Sequence, residues 1–161
     1  MTRIQGNPKV PGTPFRQIMG LRPEIAKSWT ALDEAIRFSG VLEPELKEEV
    51  RRMVAQQSGC LFCASLGEPQ ESYENPRWAA AVAYGKAFSS NPIAVSDDDW
   101  QLLSVHFNDT EISELTSWIA FMFAGEMFGA AMKLQPATPD QKTMYANWIE
   151  AGTSKAQRLT A

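Results

Sequence analysis

The sequence is poor in the residues that most often build chemistry. In 161 residues there is one histidine, His106, and there are two cysteines, Cys60 and Cys63. A four-ligand zinc site would need carboxylates or a second subunit to complete it, so the cysteine pair is at most half a metal site and no metal is expected. Two cysteines three apart also exclude the disulfide scaffold of a small secreted domain, and they suit a reducing compartment. Positive charge is not in excess either. The formal net charge is −4, with Lys and Arg dispersed along the chain, which argues against a phosphate-binding face and predicts no nucleic-acid partner. Long apolar runs are missing as well. The most hydrophobic stretch, Trp118 to Gly125, is flanked by Ser113, Glu114, Thr116, Ser117, Glu126 and Lys133, which leaves it well below the roughly 18 residues of a membrane span. No membrane partner is expected. Residues 1–14 carry neither the apolar core of a signal peptide nor the Arg/Ser-rich pattern of a transit peptide, so a cytoplasmic address is the expectation.

No strand pattern and no internal repeat stand out, and what is there reads as helix. Apolar residues make up 44% and charged residues 21%, the balance of one globular domain with its own core. Pro8, Pro11, Gly12 and Pro14 forbid a regular element at the start, so residues 1–13 are expected to form an extended arm and residues 14–161 a single helical domain. Ile25, Trp29, Leu32 and Ile36 recur at helical spacing and predict a helix with one buried stripe, ending near Gly40. Pro44 beside Glu43 and Glu45 opens a second helix, whose inner face is Leu46, Val50, Met53, Val54 and Gln57 and which ends at Ser58-Gly59. After the cysteines, a polar loop leads to Pro76 and a helix through about Phe88. Ser96 and Asp99 have the form of a capping box before a short helix to His106. Asn108-Asp109 offers the next cap, for the longest helix, over 110–134. Thr138, Pro139 and Gln141 begin the last helix, with Met144, Tyr145, Trp148 and Ile149 turned inward and the tail fraying beyond them. The fold class is all-α, with about six to eight helices.

Cys60-Leu61-Phe62-Cys63 follows Gly59 at what should be a helix N-terminus. There the helix dipole and free amide hydrogens favour a thiolate, and two intervening residues let the sulfurs close a disulfide across one turn. Thiol redox chemistry, half a zinc site and simple core packing all remain open on spacing alone. The dipole favours Cys60 as the more acidic thiol.

The string from Glu48 through Arg51, Arg52, Gln57, Ser58 and Gly59 to Cys63 resembles the core of the alkylhydroperoxidase D / carboxymuconolactone decarboxylase family, with core motif 44–66. There a Glu stands twelve residues before the first Cys, a small polar residue and Gly precede that Cys, and an aromatic residue commonly precedes the second. Flanking segments are similar too, so the resemblance spans roughly Pro14 to Leu134. It implies an oligomeric helical bundle, a trimer or hexamer, that reduces a small-molecule peroxide with electrons from a dithiol and without a cofactor. Carried over, Cys63 is the attacking thiol, Cys60 the resolving one and Glu48 the acid/base partner. The family's relay histidine does not carry over, because Gly67 holds its place. If the helices around Ser58-Gly59 run antiparallel, Glu48 lies ~16 Å from the turn and Cys63 ~6 Å, at ~1.5 Å per residue. Glu48 should then miss Cys63 by several ångströms. Two alternatives accompany this reading: a decarboxylase-like enzyme acting on a small lactone or acid, and a non-catalytic helical oligomer.

Three further features stand out. His106 ends a helix, where an imidazole complements the dipole, and a structural role is expected. Glu126 sits in an apolar helix and must find a partner or a proton, with an ion pair as the first expectation and the site as the second. Phe121, Met122, Phe123, Met127, Phe128 and Met132 read as core, subunit interface or an apolar channel, and Gly125-x-x-x-Gly129 permits close approach of another element.

Overall fold

Five of the eight α-helices among the described residues open on a proline, whose missing amide hydrogen costs nothing in a first helical turn and whose fixed φ already suits it. These are α1 (Pro14–Met19), α2 (Pro23–Phe38), α3 (Pro44–Gln57), α5 (Pro76–Ser90) and α8 (Pro139–Thr160). The others are α4 (Leu61–Ala64), α6 (Asp97–His106) and α7 (Asp109–Ala131), with one 3-10 turn at Pro92–Ala94. This is a computed structural model; it describes residues 1–160, without the side chains of Ala94, Leu159 and Thr160. No described residue lies in a strand.

The caps form as the sequence suggests. Ser96 and Asp99 make a reciprocal capping box at α6, Asn108 and Glu111 make another at α7, and Thr138 exchanges hydrogen bonds with Gln141 at α8. Each box satisfies amide hydrogens that a helix start leaves free.

Helix α3 is the centre of the molecule, packed by α2, α4, α5 and α7. Leu46, Val50 and Val54 of α3 meet Ala81 and Tyr84 of α5, Leu103 of α6 and Leu115, Trp118 and Ile119 of α7 in the main core. Trp118 is fully buried and donates its indole hydrogen to the Lys47 carbonyl at 2.8 Å. Lys47, also buried, donates to the carbonyls of Ile36 and Ser39 and pairs with Glu114, so its charge is compensated inside the protein. A second, smaller core joins Ile18 of α1 to Ala55, both cysteines, Phe62, Leu134 and Ala137. That cluster carries the site.

The structure departs from the expected helices at two places, α2 and α8. On α2, Ile25 and Leu32 are 45% and 51% exposed, and the buried residue is Arg37. On α7, Trp118, Ile119, Phe121 and Met122 are buried while Ala120 and Ala124 reach solvent, so one side of its apolar centre is open. Helix α8 does not fray after Ile149 but continues to Thr160, with Met144 exposed and Trp148 stacked edge-on against Phe38. Residues 1–13 hold no helix; Arg3 donates its backbone hydrogen to Met132 and Asn7 to Gln17, which lays the segment on its own chain. No helix among the described residues is long and apolar enough to cross a membrane.

Candidate active site around Cys63

Gly59 has φ +72°, a left-handed conformation that costs a side-chain-bearing residue energy. It stops α3 after Ser58 and turns the chain so that Cys60 becomes the cap of α4. The Ser58 hydroxyl accepts from the Cys60 amide at 3.2 Å, and the Cys60 sulfur accepts from the Cys63 amide at 3.2 Å. The two α-carbons lie 5.3 Å apart and the sulfurs are bonded. Cys60 is 1% exposed and packs under Gly129 of α7; Cys63 is 8% exposed.

The difference matters because, of the two, only Cys63 borders a half-open cavity of about 250 Å³ lined by α1, α2, α3, α4, α7 and α8. Its apolar wall is Phe15, Trp29, Phe62, Leu66, Met122 and Trp148, and its polar floor is Arg37, Arg51, Glu126 and Tyr145. A concave, largely apolar space with a few converging polar groups is the usual form of a small-molecule site.

Glu48 lies behind that floor. Arg51 reaches its carboxylate with three contacts of 2.8–3.1 Å, Arg37 donates at 3.2 Å, and the Tyr145 hydroxyl donates at 2.7 Å. Although burial alone would raise it, the two guanidiniums hold the Glu48 carboxyl below the ordinary carboxylate range. Burial and the Glu48 charge push the Tyr145 phenol up, so it stays protonated as a donor. Arg51 also donates to the Cys63 carbonyl at 3.2 Å. Arg51 therefore links Glu48 to the cysteine helix, and Glu48 itself does not border the cavity.

Glu126 is the opposite case. It is 4% exposed, and neither carboxyl oxygen has a hydrogen-bond partner. Ser58 is near enough to favour the charged form, yet its hydroxyl donates to the Ala55 carbonyl at 3.0 Å. Burial dominates, against Arg51 and Arg37, and pushes the Glu126 carboxyl up to about 8. The ion pair expected for this residue is not formed, and the alternative, that it lines the site, is what the structure gives.

Gly67, at the position the resemblance gives to the relay histidine, has no side chain, and a β-carbon there would meet the Arg52 guanidinium, which itself reaches Glu48 at 3.4 Å. His106 closes α6, where its carbonyl accepts from Arg77 at 2.7 Å. Arg51 was not singled out in the sequence, although its place three residues after Glu48 was a signal that could have found it. Arg37 and Tyr145 come from other helices and had no local signal, while the unpaired Glu126 did have one, a carboxylate inside an apolar helix. No group of three or more His, Cys, Asp or Glu residues that could hold a metal ion occurs among the described residues.

No protein-family model matches the chain, and no curated protein matches it in sequence. The fold has a solved counterpart in the debrominase Bmp8, crystallised as a cysteine-to-alanine variant in complex with 2,3,4-tribromopyrrole. The TM-score is 0.70 at 18% sequence identity, over 85% of this chain and 82% of that one. The likeness establishes the fold, an all-helical one of the alkylhydroperoxidase D-like type.

Proposed function

We propose that the protein is a thiol-disulfide oxidoreductase of the alkylhydroperoxidase type, with Cys63 attacking a small organic peroxide and Cys60 resolving the product. The observation that carries this reading is that, of two bonded cysteines, Cys63 alone borders an apolar cavity. The Cys63 thiolate takes the terminal oxygen of the hydroperoxide and becomes a sulfenic acid, and an alcohol leaves. The Cys60 thiol then displaces water to form the disulfide, and an external dithiol restores both thiols. Glu48, the acid/base partner that the family resemblance implies, is here saturated by Arg37, Arg51 and Tyr145 and acts as the anchor that holds Arg51 against α4.

Self-association belongs to the same proposal, as a trimer or hexamer. Its support is an exposed stripe of small residues and methionine on α7, Ala120, Ala124, Met127 and Ala131, of the kind that closes against another copy. Sedimentation of the pure protein tests it.

The deciding experiment is a thiol count and intact mass before and after one equivalent of an organic hydroperoxide, with Cys60→Ser and Cys63→Ser alongside. Loss of two thiols together, with a trapped sulfenic acid only in Cys60→Ser, is the expected result. Survival of both thiols overturns the reading.

A second reading is favoured by the structural neighbour, a debrominase, together with the aromatic cavity wall: the same two thiols would supply two electrons to replace a ring-bound halogen by hydrogen, releasing halide as the disulfide forms. Halide release from a halogenated aromatic compound, absent in Cys63→Ser, separates it from the first. The decarboxylase-like alternative has less support, since the two buried guanidiniums of the cavity, Arg37 and Arg51, are already paired with Glu48 and Asp33, and the third, Arg16, is solvent-exposed.

A further inference from the structure

Peroxide cleavage at Cys63 expels an alkoxide, a poor leaving group that needs a proton as the oxygen–oxygen bond breaks. Gly67 supplies none, and Glu48 is locked in ion pairs away from the cavity. One carboxyl does border the same cavity as Cys63, buried and with both oxygens unpartnered: Glu126. It projects from α7, a different helix from α3, on which the family resemblance places its acid/base residue.

We propose that Glu126 is the general acid of this site, donating its proton to the alkoxide that leaves when Cys63 attacks an uncharged organic hydroperoxide. The proposal rests on the thiol reading above and adds to it. The step balances as Cys63 thiolate, hydroperoxide and Glu126 carboxylic acid giving Cys63 sulfenic acid, alcohol and Glu126 carboxylate. When Cys60 then attacks the sulfenic acid, the thiol proton of Cys60 leaves with the displaced hydroxide as water, and Glu126 regains its proton from solvent.

The surroundings keep the acid protonated at neutral pH. Arg51 and Glu48 act on it from α3 and Arg37 from α2, with Ser58 at the end of α3, and burial outweighs the pull of the guanidiniums because both are already paired with Glu48. The other titratable groups on the cavity are Tyr145 of α8, Cys63 of α4, Asp33 and Glu34 of α2 and Arg16 of α1. Asp33 is engaged by Arg37, and the Tyr145 hydroxyl by Glu48.

The test is single-turnover oxidation of the reduced full-length protein by two oxidants, cumene hydroperoxide and peracetic acid. It is followed through tryptophan fluorescence, since Trp29 and Trp148 line the cavity, in the wild type and in Glu126→Gln across pH 6–10. The amide copies the shape of the protonated carboxyl and has no proton to give. Peracetic acid expels a carboxylate, which needs no acid. Glu126→Gln is therefore expected to lose about 100-fold with cumene hydroperoxide, the usual scale for a positioned general acid, and to stay within a few-fold with peracetic acid. The wild-type rate with cumene hydroperoxide should also lose ground near pH 8, in a limb absent from the variant. Equal losses with both oxidants, or no loss with either, overturn the proposal while leaving the thiol reading intact. A wild type that reacts with neither oxidant overturns the thiol reading, and the acid with it.

Discussion

Gly129 of α7 lies so close over the Cys60 sulfur that a β-carbon at that position would overlap it, and the Cys63 sulfur would stand 3.4 Å from the same atom. A bonded sulfur has no freedom to swing aside as a long side chain has. Gly129→Ala should therefore lower stability by about 1–3 kcal/mol, the scale of an overpacked core, and make Cys60 easier to alkylate after reduction. Denaturant melts and alkylation followed by mass measure both; an unchanged melt would mean that α4 and α7 separate at little cost.

Among the described residues, Glu48 is the only carboxylate paired with both buried guanidiniums of the cavity floor. Glu48→Ala leaves Arg51 buried without its counter-charge and should cost about 3–5 kcal/mol. The acid side carries its own signature. The folded carboxyl titrates below its unfolded value of 4.5, so its stabilisation is complete above 4.5 and disappears as pH falls through the folded value. The variant should show a flatter loss of stability on acidification, and a variant as acid-labile as the wild type would sink this account.

Glu126 predicts the opposite slope. Its folded carboxyl titrates at about 8, against 4.5 unfolded. Between those values the unfolded chain has already released the proton that the folded protein retains, so stability declines as pH climbs from about 4.5 to about 8. Glu126→Gln removes that decline. The stability of the variant should pull ahead of the wild type across this window and level off above it, with a gap on the order of 5 kcal/mol at pH 9, read through the melting temperature. Parallel pH curves would show that the carboxyl is ionised in the folded protein.

In reduced protein, the single-cysteine variants should alkylate at different rates. Cys63, open to the cavity, is expected to react with iodoacetamide at least about 10-fold faster than Cys60, which is sealed under Gly129. Comparable rates would instead favour Cys60, the more acidic thiol on the dipole argument, as the attacking group.

The starts and stops of helices were legible because their chemistry is local. Pro at a first turn, Ser96 with Asp99, Asn108 as a cap, and Gly59 after Ser58 each satisfy or release backbone groups within four residues. The faces of the peripheral helices were harder. Ile25 and Leu32 have the spacing of a buried stripe, yet in α2 the cavity and the Glu48 network draw Arg37 inward and leave both of them exposed. Periodicity reports that a helix has two faces and does not report which neighbour will claim one.

The sequence by itself determined an all-helical chain with two cysteines poised across one turn at a helix start, because hydrogen-bond capping and helical period act over three or four residues. Only the tertiary structure decided which sulfur meets the cavity, that Glu48 is spent on Arg37, Arg51 and Tyr145, and that Glu126 is left without a partner. Those outcomes depend on α2, α3, α7 and α8 converging from positions up to 108 residues apart, and burial, which sets the charge of each carboxyl, exists only once they have converged.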